Sequence, residues 1–218
     1  MKTFLDNVVL TVTRPKKLYS TLSEKPNLNH AIWLVLAIGM IHGLQIITDR
    51  NMAEQLHLKN EPGLLGMILY AGIFGLLIVL QTSFQVVIKV VCAKIAFNFL
   101  RIKSNMRTLV TVLVFTIVPL LIREFIRVFW AGYEGAVDFG GRHKISYFKT
   151  SLAQFVANSN FTNKITFSLL TEFEIFAIWS FILGVIAVAA VGKVSYKTST
   201  FIMLFSWVIS SLVLLISV

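Results

Sequence analysis

Apolar residues fall along this chain in five long runs, at about residues 31–48, 64–87, 108–129, 173–192 and 198–218, separated by polar, basic or turn-rich breaks. Each run approaches the roughly 20 residues that a helix of 1.5 Å rise needs to cross a 30 Å hydrocarbon core. The expected fold class is therefore all-α: a polytopic transmembrane helix bundle of about five spans, preceded by residues 1–29 and carrying a long external loop at 130–170.

The runs are not uniform. The first holds Gly39-Met-Ile-His-Gly43, a GxxxG spacing that lets two helices approach closely. The second continues apolar from Leu64 to Leu100, far beyond one crossing, so a span over 64–87 is expected to continue as an interfacial or cytoplasmic helix to about Phe99. The third contains Pro119, which removes one backbone hydrogen bond and predicts a kink. Pro62-Gly63 marks a turn before the second run, and Phe148–Val156 is a candidate surface helix in the long loop. Ahead of the first run, Phe4, Leu5, Val8, Val9 and Val12 predict a short amphipathic helix lying on the membrane surface. Pro15 then opens a second short segment, Lys16–Ser23, and Pro26 ends it. Residues 1–29 lack a continuous apolar core, so no cleavable signal peptide is expected.

Composition agrees with the pattern. Of 218 residues 56% are hydrophobic and 14% charged, against about a quarter charged in soluble domains. The mean hydropathy is +0.80. The single cysteine, Cys92, excludes an intrachain disulfide and a cysteine zinc site, and reads as a small buried hydrophobe.

Charge then sets orientation. The net charge is +10, but the basic residues cluster at helix ends rather than in a nucleic-acid-binding block, so no nucleic-acid partner is expected. With the N-terminus cytoplasmic, the inner segments hold Lys2, Arg14, Lys16, Lys17 and Lys25, then Lys89, Lys94, Arg101, Lys103 and Arg107, then Lys193 and Lys197. These are twelve of the 20 basic residues, in short loops where lysine and arginine best report topology. No acidic residue falls between Glu61 and Glu124. The run Lys89, Lys94, Arg101, Lys103 and Arg107 is thus the expected contact for anionic headgroups. A multi-pass protein of a bacterial plasma membrane is the expected location.

Ionisable or strongly polar residues at membrane depth are functional candidates because they are costly there. His42 and Gln45 lie one turn apart; Gln81 and Gln85 are spaced i, i+4 on one face; Arg123, Glu124 and Arg127 crowd the end of the third run; Glu172 and Glu174 begin the fourth. His42, Gln45, Gln81, Gln85, Arg123 and Glu174 form the candidate intramembrane polar cluster. Ion pairs of Arg123 and Arg127 with Glu172 and Glu174 are expected near the external interface. The remaining histidines, His30, His57 and His143, lie near span ends or in loops, and no metal site or cofactor is expected. HExxH, GxSxG, GxGxxG and P-loop patterns are all absent, and no carboxylate pair lies within a span. An enzyme is not expected.

Three segments resemble the bacterial branch of the Yip family, named for proteins that interact with Ypt/Rab GTPases. Thr13-Arg14-Pro15-Lys16-Lys17-Leu18-Tyr19 with Glu24-Lys25-Pro26 is similar to its P-x-x-x-F/Y…P approach to span 1. Lys94–Ile122 looks like its basic turn into a proline-bearing span, with Pro119 as that proline. Thr171–Lys197 resembles its L-D-x-F-x-I-W…G fourth helix, with Glu172, Phe176, Ile178 and Trp179 matching best. The chain departs from the pattern with Phe97-Asn98 in place of a glycine-rich turn and with Ala189 in place of a glycine. The resemblance implies a five-helix domain over residues 30–218 with no established catalytic residues. It also implies a membrane-protein partner, since some bacterial relatives are associated with ABC-type exporters as accessory subunits.

Two functions follow as expectations. The first is a non-enzymatic accessory or scaffold protein that meets a partner through helix faces such as Gly39/Gly43 and through its basic cytoplasmic surface. The second is a small permease or lipid-handling protein, which requires the polar cluster to converge on one path.

Overall fold

A computed structural model describes residues 3–48, 64–137 and 174–216, and every element among them is helical. The turn at Pro62-Gly63, the surface helix at 148–156, His57, His143 and Glu172 lie outside the described residues.

The short N-terminal helices have legible causes. Helix α1, Phe4–Thr13, starts with a reciprocal capping box: Asp6 N donates to Thr3 Oγ1 (3.2 Å) and Thr3 N to Asp6 Oδ2 (2.9 Å). Arg14 leaves the helical region ahead of Pro15, as a residue before proline does, and Pro15 opens helix α2, Pro15–Glu24. Leu18, Tyr19 and Leu22 are the buried face of α2.

Helix α3, Leu28–Thr48, and helix α4, Leu64–Phe99, pack along one another. Helix α4 is a single helix of 36 residues, about 54 Å long, so part of it must lie beyond any bilayer core. Asn105 Oδ1 accepts from Arg107 N (2.9 Å) and caps helix α5, Met106–Val114. Pro119 has no N–H for the Phe115 carbonyl and crowds it. The chain tightens there into a 3-10 turn, Phe115–Ile117, in which the Thr116 hydroxyl donates to the Leu113 carbonyl (2.6 Å). Helix α6 then runs Val118–Val137.

The expected third span ended at Phe129, with a loop from residue 130. The helix instead continues to Val137, through Gly132 and Gly135, and meets no proline after Pro119 that would stop it. Helix α7, Ile175–Gly192, and helix α8, Tyr196–Ile216, are joined by a tight turn in which Lys193 adopts a left-handed φ of 51°. The Ser195 hydroxyl oxygen accepts from Thr198 N (3.2 Å) at the start of α8. Phe97 is fully buried, and its ring lies against Gly192, where an added Cβ would come within 2.7 Å of Cζ.

The core lies where α2, α5 and α7 meet, around Leu18, Tyr19, Leu109, Leu113, Leu183 and Val188. Helix α6 packs on α3 and α7, and α8 on α4 and α7. The outer surface is also apolar. Ile73, Leu76, Leu80, Phe84, Val87 and Val91 are exposed along α4 at three- and four-residue spacing. Stretches of three helices, Ile68–Phe99, Met106–Trp130 and Ile175–Gly192, are long and apolar enough to cross a membrane.

Candidate functional site

Arg123 and Glu124 lie in the second turn of α6, and Arg127 lies in the third. Residues four apart on a helix stand one above the other, so the two guanidinium groups form a ladder, and Glu124 is turned about 100° from Arg123 toward α3. Helix α7 enters on Glu174, its N-cap residue, whose side chain makes no capping hydrogen bond and turns instead to the arginines of α6. Helix α3 supplies His42, three residues beyond Gly39, where α3 comes closest to α4.

These five side chains meet. Arg123 contacts Glu124 Oε1 through Nη2 (2.5 Å) and Glu174 Oε2 through Nη1 (2.5 Å). Arg127 reaches Glu124 Oε1 and Glu174 Oε1 at 3.4 Å each. His42 Nδ1 lies 3.2 Å from Glu124 Oε2. An ionised carboxylate only accepts, so Nδ1 carries the shared hydrogen. The side chains of Glu124 and Glu174 are 2% and 7% exposed, and that of His42 is 18% exposed. Two guanidinium and two carboxylate groups balance, which is the condition under which buried charge is tolerated. Arg123 lies 17 residues beyond Met106, about 26 Å along the helix axis.

Of the six residues singled out in the sequence, His42, Arg123 and Glu174 come together. Gln81 and Gln85 do not join them. Gly43 packs against Ala71, and Gln81 is ten residues, or about 15 Å, further along α4, where it is exposed; Gln85 is half-buried. Gln45 lies on α3, but its side chain is outside the described residues, as is Glu172. Glu124 and Arg127 complete the network although neither was in the candidate cluster. Glu124 is its most buried member and touches three of the other four. The available signal was the spacing Arg123-Glu124-x-x-Arg127, in which one carboxylate stands between two guanidinium groups.

The glycine pair lets two helices approach closely, as its spacing predicts, but the helix it meets is the chain's own α4 and not a partner's. A Cβ on Gly39 would clash with Val79 and come within 2.7 Å of the Gly75 carbonyl oxygen; one on Gly43 would meet the Ala71 oxygen at 2.7 Å. This face is consumed by the chain's own α4, so it is closed to an outside partner. Among the expected lipid-contacting residues, Arg101, Lys103 and Arg107 are exposed. Lys94 Nζ instead donates to the Ser104 carbonyl (2.7 Å), bracing the turn between α4 and α5, and Lys89 is half-buried.

Among the described residues no group of three or more histidine, cysteine or acidic side chains is placed to hold a metal ion. Glu124 and Glu174 are already taken up by the arginines. Comparison with protein families, curated proteins and solved structures finds no match to this chain.

Proposed function

We propose that this chain is a non-enzymatic, multi-pass protein of a bacterial plasma membrane that serves as an accessory subunit or scaffold for a larger membrane complex. In this reading the Yip resemblance is real. Five helices cross the bilayer: α3, the first part of α4, α5 with α6, α7 and α8. The N-terminus and the basic turns around Lys103 and Lys193 face the cytoplasm, where Arg101, Lys103 and Arg107 meet anionic headgroups. An ABC-type exporter is the class of partner that the resemblance implies.

The observation that carries this reading is the closure of the ion network. Its charges are spent on one another and tie α3, α6 and α7 together. A transport path needs polar groups open to a substrate along the membrane normal, and Gln81 stands away from the network on the outer surface of α4. The permease reading is therefore the weaker of the two. Since Gly39 and Gly43 are occupied internally, the partner is met through the exposed aliphatic faces, such as that of α4, and the basic cytoplasmic surface.

Affinity purification from the native host in a mild detergent, followed by mass spectrometry, tests the proposal. A transporter subunit recovered in fixed proportion is the expected result. Recovery of the chain alone, in several detergents and in lipid nanodiscs, refutes it.

A further inference from the structure

Helix α1 is inside-out. Leu5, Val9 and Val12, spaced i, i+4 and i+7 on one face, are 69%, 58% and 42% exposed. The opposite face carries Asn7 and Thr11, which are 5% and 0% exposed. Phe4, Val8 and Leu10 pack on the core from the flanks. In water the reverse arrangement holds, because aliphatic surface is driven inward and polar groups outward.

The inward polar residues are provided for. Thr11 Oγ1 donates to the Asn7 carbonyl (2.9 Å), the Asn7 side-chain amide shares a hydrogen bond with His30 Nδ1 (2.9 Å), and the His30 ring meets Phe4 edge-on at 6.1 Å. Helix α1 thus has a specific dock on the first turn of α3, with its aliphatic stripe facing away from the protein.

Two placements say what covers that stripe. Helix α1 touches the 3-10 turn Phe115–Ile117, which lies 9 to 11 residues, about 14–17 Å, along the axis from Met106, the first residue of an apolar span. At the other end of α1, Arg14, Lys16 and Lys17 are exposed, and Lys16 Nζ stands 5.3 Å from the centre of the Tyr196 ring, beside the basic turn holding Lys193 and Lys197. The stripe therefore begins at a cationic rim and extends along the apolar part of the bundle. At about 15 Å, α1 is too short to cross a bilayer.

We infer that α1 is embedded in the cytoplasmic leaflet, with Leu5, Val9 and Val12 among the acyl chains and Arg14, Lys16 and Lys17 at the phosphates of anionic lipids. The inference rests on the membrane placement in the proposed function, not on the accessory role, so a chain that purifies alone leaves it standing.

Site-directed spin labelling of the full chain tests it. Buried Cys92 is replaced by alanine, and single cysteines are placed at Leu5, Val9, Val12 and, for comparison, Ser20, an exposed residue on α2. Each variant is reconstituted in phosphatidylcholine vesicles containing a minority of phosphatidylglycerol. Collision with oxygen, which concentrates in lipid, is compared with collision with a water-soluble nickel chelate. At the three α1 sites oxygen is expected to exceed nickel several-fold, and at Ser20 the order reverses. Nickel access at Val9 equal to that at Ser20 places the stripe in water and overturns the inference. A label at Val9 that is immobilised and shielded from both reagents overturns it too, because the stripe is then covered by protein, either a second copy or another chain. Three independent α1 positions keep the test valid if one variant fails to fold.

Discussion

Replacing Glu124 by glutamine should be among the most damaging isosteric changes available in this chain. The side chain keeps its volume but loses its charge, and one of its oxygens is replaced by an amide NH2 that points donors at a site already crowded by donors from Arg123, Arg127 and His42. Two guanidinium groups then face the single carboxylate of Glu174. Removing one partner of a buried ion pair costs about 3–5 kcal/mol. For a chain of this length each kcal/mol moves the melting temperature by roughly 2–4 °C, so the expected fall is about 6–20 °C. Cys92 provides the assay: it is the chain's single cysteine and is 4% exposed, so a thiol-reactive fluorophore reports its release on heating in detergent. The doubly substituted chain, Glu124→Gln with Arg127→Gln, restores charge balance and should melt above the sum of the two single effects. A Glu124→Gln protein melting within about 2 °C of the parent would show that the network is not what holds α3, α6 and α7 together.

Three further outcomes are expected. Gly43→Leu forces a side chain into the Ala71 backbone and should lower the melting temperature sharply, whereas Gly72→Ala, whose added Cβ meets nothing within 4 Å, should leave it unchanged or raise it, with about 1 kcal/mol available from helix propensity. Lys193→Gly relieves a left-handed residue with φ 51° and should stabilise by about 0.5–1 kcal/mol, read as a higher melting temperature, unless loss of the lysine charge weakens lipid binding in vesicles. Burial pushes the Tyr19 hydroxyl above its ordinary titration range, and among the described residues it makes no hydrogen bond. A group raised in this way stabilises the fold fully below its unfolded pKa of about 10 and progressively less above it. Tyr19→Phe should therefore match or exceed the parent at neutral pH and lose less stability than the parent in melts carried out above pH 10.

Helix content was legible because apolar runs of the right length admit few alternatives, and Pro15 and Pro119 mark their breaks wherever the chain is read. The sequence also pointed to His42, Arg123 and Glu174, since charge at membrane depth stands out against an apolar background. Two things were hidden. Glu124 stood out as an ionisable residue of the third run but not as a member of the cluster, because adjacent residues on a helix look toward different neighbours, and which neighbour lies at 100° is a matter of tertiary packing. The partner of the Gly39/Gly43 face was equally unreadable. A GxxxG spacing permits close approach but does not name the helix that approaches, and Gly75, the matching notch on α4, lies in a run where Gly66 and Gly72 are equally plausible by sequence. The glutamines failed as markers for a related reason: an i, i+4 pair fixes a common face of α4 without fixing what that face meets.

The proposed arrangement of spans puts the basic turns at Lys103 and Lys193 together on the N-terminal side of the bilayer. In a Cys92→Ala background, Lys103→Cys and Lys193→Cys are labelled with a membrane-impermeant maleimide in sealed right-side-out cells and in inverted vesicles. Both positions are expected to react only in inverted vesicles, which places both turns in the cytoplasm. Reaction of one position from outside and the other from inside contradicts the arrangement of spans from which the rest is built.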